Sequence, residues 1–302
     1  MKKLLILGAV TCENVTYVEK LPKGNEEIKP IRMEERLGGS GAHIAGFMKG
    51  MNLPYILAAC IGSGVYGEKA EELSRDLEVT LRDEEPAGSL LRMIDTEKKQ
   101  SFLLVPGSEY TFHEESVEDI SNEELAGAVV CGDYLCDENT DVLLEWMSWL
   151  ECPIYFVPGI RMDEIDQQTL ESLYSLSPVI IAAGRDILAL SGEKDPIAGM
   201  KKLHSLSGND VAALLGKAGA AALHGGQTYR TAESEVLEEA DDISIDEFAA
   251  GYCSALLGHV DRKNSLVFAL EAAERCTHHD HQADDYDFTA LKQRLAEMII
   301  HG

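Results

Sequence analysis

Basic residues are scarce in this chain: 26 lysines and arginines stand against 53 aspartates and glutamates, a formal net charge of −27. A field of that sign repels phosphate backbones and anionic bilayers, which argues against nucleic acid or a membrane as partner. Any phosphate bound here must be held by local donors. No apolar run is long enough to span a bilayer. Internal repeats, low-complexity tracts and long linkers are absent as well, so the 302 residues read as one domain, 1–302. Regular cysteine spacing is also missing. The seven cysteines, at 12, 60, 131, 136, 152, 253 and 276, are odd in number, and a chain of this length needs no staples. Reduced thiols in a cytoplasmic protein are expected.

What is present is a periodic alternation. The opening "MKKLLILGAVTC" imitates a secretion signal, but "AVTC" is a poor cleavage site and Glu13 follows at once, so a buried first strand is the better reading. "YILAACIG", "AGAVVCGDYL", "PIYFVPG", "PVIIAAG" and "DVAALLG" are further apolar runs, and helical patterns stand between them. That order predicts a doubly wound, mostly parallel sheet flanked by helices. Two polar, alternating stretches, at about 14–36 and 88–112, interrupt it and predict a small antiparallel β-lid.

Chemistry concentrates in a few places. "LGGSGAHIAGF" is a glycine turn running into a helix, with Gly38 and Gly39 at the turn and His43 on the first helical turns. Glycines there permit close approach of a ligand to the backbone. Glu13 ends the first strand region, and "LLGKAGAAAL" places Gly216, Lys217 and Gly219 after a late strand. "ADDISIDEFAAGY" opens a helix whose apolar stripe runs through Phe248, Tyr252, Leu256 and Val260, with Asp246 on its first turn. An acid there also complements the helix dipole, by about 0.3–1 kcal/mol.

In order and spacing these motifs resemble the ribokinase (PfkB) family of carbohydrate and nucleoside kinases over nearly the whole chain. The resemblance implies a ribokinase-like α/β fold and transfer of the ATP γ-phosphate to a hydroxyl of a sugar or nucleoside. It makes Asp246 the catalytic base, Glu13, Gly38, Gly39 and His43 the substrate floor, and Gly216, Lys217, Gly219 and Ser244 the nucleotide bed. ATP and Mg2+ are the implied cofactors, with Asp186 acting on magnesium through water, and a homodimer through the lid is expected.

The motifs are also eroded. His43 stands for the family's Asn, Glu13 for its Asp, Gly64 for an acid, Ala183 for an Asn, Asp186 for a Glu and Leu214 for a Thr. Of the "DPNxR" motif "VPGIRMD" keeps Arg161 but not the acid and amide before it, and Arg161 reads more readily as a solvated helix-start residue than as a phosphate ligand. The family's "GAG" before the base is here Ile243-Ser244-Ile245. Branched carbons resist positive φ and stand where the γ-phosphate would sit, although Ser244 offers a hydroxyl. Losing one anion-hole donor lowers turnover by about 10²- to 10³-fold. The alternative is therefore a decayed kinase that binds a ligand or partner without transferring phosphate. The tract His278–His281 invites a metal reading, but three histidines so close in sequence rarely converge on one ion.

Overall fold

The computed structural model describes residues 2–136, 139–238, 242–278 and 288–301. The first strand, β1 (Lys3–Leu7), lies inside a nine-stranded sheet. Its neighbours are β4 (Tyr55–Ser63) and β8 (Leu125–Cys131), both parallel to it. The sheet continues through β5 (Val79–Pro86) on one side, and on the other through β9 (Ile154–Val157), β10 (Val179–Ala183) and β11 (Val211–Leu214), every pairing parallel. Two antiparallel strands, β12 (Ala220–His224) and β13 (Gln227–Arg230), close that edge. They form a hairpin over Gly225 and Gly226, whose φ angles of +55° and +79° are those a two-residue mirror-image turn demands.

Burial on both faces explains why the strands read as continuous apolar runs. Leu4 and Ile6 point into one core, with Phe47 of helix α1 (Ser40–Gly50), Phe248 of α7 (Asp242–Leu257), Phe268 of α8 (Arg262–His278) and Leu291 of α9 (Thr289–His301). Leu5 and Leu7 point into the other. There they meet Leu143 of α3 (Thr140–Met147), Leu173 of α4 (Gln167–Ser175), Ile187 of α5 (Gly184–Ser191) and Met200 of α6 (Pro196–Ser207). The remaining helix, α2 (Gly64–Leu73), follows β4. Among the described residues no helix is long and apolar enough to cross a membrane.

A second sheet of four strands, ordered β3-β2-β6-β7, is built from β2 (Thr11–Tyr17), β3 (Arg32–Gly38), β6 (Ser89–Ile94) and β7 (Gln100–Val105). It falls within the two expected stretches, reaching a few residues beyond the first at each end. The outer pairs are antiparallel, while β2 and β6 run parallel. His278 ends α8, and the rest of the His278–His281 tract lies outside the described residues.

Candidate active site

Parallel strands leave the sheet at a common edge, and loops at their carboxyl ends converge there. After β1 comes Gly8-Ala9, which touches the start of α1. A Cβ on Gly39, whose φ is +91°, would meet the Ala9 carbonyl oxygen at 2.3 Å. A Cβ on Gly41 would meet that of Gly8, also at 2.3 Å. The glycines of this turn thus let α1 abut the end of β1, which fixes the direction of His43 on its first turns.

His43 Nδ1 lies 2.8 Å from Asp246 Oδ2. Asp246 is only 1% exposed, so this carboxylate does not face bulk solvent. It lies one turn further into its helix than the sequence suggests, because α7 starts at Asp242. The dipole effect fades beyond a first turn, whereas the His43 imidazole is in direct contact.

Two acids that the motif reading passed over complete the cluster. Asp133, just after β8, is buried and accepts the Ser40 N–H at the start of α1. Burial pushes its carboxyl up to about 7, the Asp246 charge adds to that, and Arg161 and His43 oppose it. Glu247 is pushed up to about 8, chiefly by burial, with His43 opposing and Asp246 reinforcing. Asp133 follows a buried strand at its carboxyl end, and that position was the available signal. Glu247 carries no sequence signal beyond standing beside Asp246.

Arg161 is not solvated, contrary to expectation. Its side chain is 4% exposed, bonds Glu164 at 2.9 Å and lies over the Tyr110 ring at 5.3 Å. Glu13 is likewise buried. Its Oε1 is 3.2 Å from Arg92 Nη2, and both side chains are nearly inaccessible. A Cβ on Gly38 would fall 2.2 Å from Glu13 Cγ, so the first glycine of the turn makes room for that carboxylate. Glu13, Gly38, Gly39, His43 and Asp246 are therefore joined by direct contacts: Glu13 to Gly38, then along the turn to α1, then across to α7.

The stretch expected to hold nucleotide is organised differently. Gly216 (φ +58°) and Gly219 (φ +75°) shape a tight turn between β11 and β12, closed by Leu215 N–H donating to the Gly219 carbonyl at 2.8 Å. A Cβ on Gly219 would meet the Ala232 carbonyl oxygen at 2.1 Å. Chain packing alone thus demands that glycine. Lys217 is exposed; its backbone is tied to Glu238 and Ser234. Leu214 is wholly buried in the core.

Ile245 also belongs to the core, with Phe248 and Tyr252, so it does not intrude on the site as expected. Ile243 shares the helical face of Asp246 and Glu247, three and four residues on. Ser244 is fully buried and two residues from Asp246, which sets the two side chains on opposite faces of α7.

Asp186 caps α5. Its Oδ2 accepts the Ala183 N–H at 3.3 Å and its Oδ1 meets Arg185 Nε at 3.3 Å. Burial raises its carboxyl, against Arg185. A carboxylate already capping a helix and paired with a guanidinium does not suit the water shell of magnesium.

Comparison with known proteins agrees with this architecture. The sequence model of the pfkB family carbohydrate kinases matches residues 1–284. A ribokinase of Arabidopsis thaliana is 23% identical over 287 residues, covering 90% of this chain and 75% of that protein. Among solved structures, the ribokinase of Thermotoga maritima superposes with a TM-score of 0.79 at 18% identity, covering 98% of this chain and 100% of its own. The Arabidopsis thaliana ribokinase solved with ribose and ATP gives 0.79 at 20% identity, covering 98% and 99%. The Burkholderia thailandensis nucleoside kinase solved with inosine gives 0.76 at 15% identity, with 97% of each chain covered. From the matched family model and the shared ribokinase-like fold, this chain belongs to the pfkB family of carbohydrate kinases.

Proposed function

We propose that the chain is a small-molecule kinase that moves the γ-phosphate of ATP to a hydroxyl of a sugar or nucleoside, with Asp246 as proton acceptor. The observation that carries this reading is the 2.8 Å contact between Asp246 and His43, which couples the acid to the glycine-turn helix. In a buried cluster of three carboxylates, two of them, Asp133 and Glu247, are pushed up toward neutrality. Divergent environments of this kind separate the roles of neighbouring acids. Asp246 then takes the acceptor hydroxyl proton, the acceptor oxygen forms its bond to the γ-phosphorus, and the bond to ADP breaks. His43 orients the carboxylate. Glu13 and the Gly38-Gly39 turn form the acceptor floor, with the smaller sheet as a lid. Gly216, Lys217, Gly219 and Ser244 are assigned to the nucleotide side by resemblance alone. Magnesium accompanies ATP, and no residue is assigned to it.

Exposed Ile31, Met33, Phe102, Leu103 and Val105 on and beside the smaller sheet support a homodimer formed through it. A second reading, binding of a ligand without transfer, is favoured by Ile243, which sets hydrocarbon on the face of Asp246. ADP release across a panel of sugars and nucleosides, with ATP and magnesium, separates the two. Acceptor-dependent release is expected. Absence of release, together with no nucleotide-dependent thermal shift, would remove the kinase reading.

A further inference from the structure

Away from the Asp246 cluster, three donors of different chemistry converge near the edge of the main sheet. Cys60 lies on β4, Asp83 on the edge strand β5, and His113 on the chain that returns from β7. One ligand atom from each lies within 4.8 Å of the others. His113 Nε2 stands 3.6 Å from Asp83 Oδ2. The three residues are 23 and 30 positions apart in sequence, so no local motif brings them together.

The surroundings hold these donors in place. Asp83 Oδ1 accepts the Glu85 N–H at 3.1 Å, which leaves Oδ2 facing the imidazole. His113 Nε2 also lies 3.3 Å from the Ser108 carbonyl oxygen, an acceptor, so without an ion Nε2 carries the ring proton and donates it there. The Ser108 hydroxyl is hydrogen-bonded with the Cys60 sulfur. Gly62 permits that approach: a Cβ there would fall 2.4 Å from Ser108 Oγ and 2.5 Å from the Ala87 nitrogen. Cys60 is buried, whereas Asp83 and His113 are each about one-fifth exposed, which gives an ion a way in.

We infer that Cys60, Asp83 and His113 form a binding site for a thiophilic divalent cation, zinc above all. A thiolate, an imidazole and a carboxylate are zinc donors, and a hard ion such as magnesium or calcium would take oxygen alone. Bond lengths of about 2.0–2.3 Å place tetrahedral zinc ligands about 3.3–3.6 Å apart. The Asp83–His113 separation is already close to that. The widest spacing, within 4.8 Å, exceeds it by about 1.2–1.5 Å at most, a gap that rotations of the two partly exposed side chains close. Binding replaces the Cys60 thiol proton, which leaves to solvent, and shifts the His113 ring proton from Nε2 to Nδ1, giving up the contact with the Ser108 carbonyl; water fills the fourth position.

The place gives the ion a consequence. The chain enters the smaller sheet through residues 86–88 and leaves it through 105–109, and these segments cross in close contact. A Cβ on Gly107 would meet the Gly88 nitrogen at 2.1 Å, and both oxygens of buried Glu109 accept the Gly88 N–H, at 3.1 and 2.9 Å. An ion bridging β4, β5 and His113 fastens the returning limb of that crossing to the body.

The inference does not rest on phosphoryl transfer, and its test uses none. The full chain, stripped with chelator and carrying alanines at His278, His279 and His281 to remove the competing tract, is titrated with cobalt(II) and then zinc. One equivalent of cobalt is expected, with a thiolate-to-metal charge-transfer band and the intense visible bands of four-coordination. Cys60→Ala should abolish the charge-transfer band. Since losing an outer partner of a metal ligand already costs 10- to 100-fold in affinity, Asp83→Asn and His113→Gln should each weaken zinc by about 100-fold or more. Metal-free thermal midpoints of these two partly exposed variants, matched to the parent, guard against misfolding if Cys60→Ala does not fold. A missing thiolate band, a band that survives Cys60→Ala, or zinc affinity unchanged in both other variants would overturn the site.

Discussion

The proposed acceptor side and the proposed nucleotide side of this molecule are built on different principles. At the proposed acceptor side, polar and charged groups are buried against one another: Glu13 with Arg92, Asp246 with His43, and Asp133 with the α1 N-terminus. Burying charge is costly, and stability alone would be served as well by hydrocarbon of the same volume. At the nucleotide side, each residue singled out is accounted for by ordinary packing. Gly219 avoids the Ala232 carbonyl, Leu214 fills core, and Asp186 caps a helix. Costly polarity on one side and bland packing on the other make the Asp246 cluster the more specialised half.

Substitutions on the two sides should behave differently. Arg92→Met should have the largest effect on folding, because it removes the guanidinium that faces buried Glu13. A loss of about 3–5 kcal/mol in urea unfolding is expected; a loss below about 1 kcal/mol would show the pair to be hydrated in solution. Next come the two isoleucines, both buried, for which different effects on nucleotide binding are expected. Ile245→Ala removes core volume and should destabilise by about 2–5 kcal/mol without strengthening nucleotide binding. Ile243→Gly also removes a buried side chain and should destabilise by at least about 2–5 kcal/mol, yet strengthen nucleotide binding in a calorimetric titration. Equal nucleotide affinity of the two variants would erase the distinction between core and site faces of α7.

A smaller effect follows from pH. The folded carboxyls of Asp133 (about 7) and Glu247 (about 8) lie above their ordinary values of about 3.9 and 4.3. The folded chain therefore holds protons that the unfolded chain has lost, and stability must fall as pH rises through that window. Urea midpoints should decline from about pH 5 to about pH 8 and level off above, and Glu247→Gln should flatten the decline. A midpoint that climbs with pH would contradict the burial of these acids. Lys217→Ala should do least, within about 0.5 kcal/mol in stability. A marked loss of nucleotide affinity in that variant would show that the exposed lysine reaches the phosphates after all.

The fold was largely legible in the sequence because strands covered on both faces, such as "KLLIL" and "VIIAA", leave an unbroken apolar trace. The β12–β13 hairpin was harder to see, since alanines carry little strand signal and only Gly225-Gly226 marks the turn. At the site, Gly38, Gly39 and Asp246 could be picked out from local pattern, and His43 from the resemblance to the family's motif. Arg92 could not, for it meets Glu13 across 79 positions, and a long-range ion pair has no sequence period. Asp133 was missed because one acid after a strand is not a motif. Ile245 was misjudged because its direction depends on the phase of a helix that starts four residues before Asp246.

The most direct measurement is acceptor-dependent ADP release by Asp246→Asn beside the unaltered chain. Asparagine preserves shape and burial but cannot take a proton, so release should fall by about 10²- to 10⁴-fold while the fold survives. Equal release by the two proteins would contradict the assignment of Asp246 as base and, with it, the account of the buried cluster.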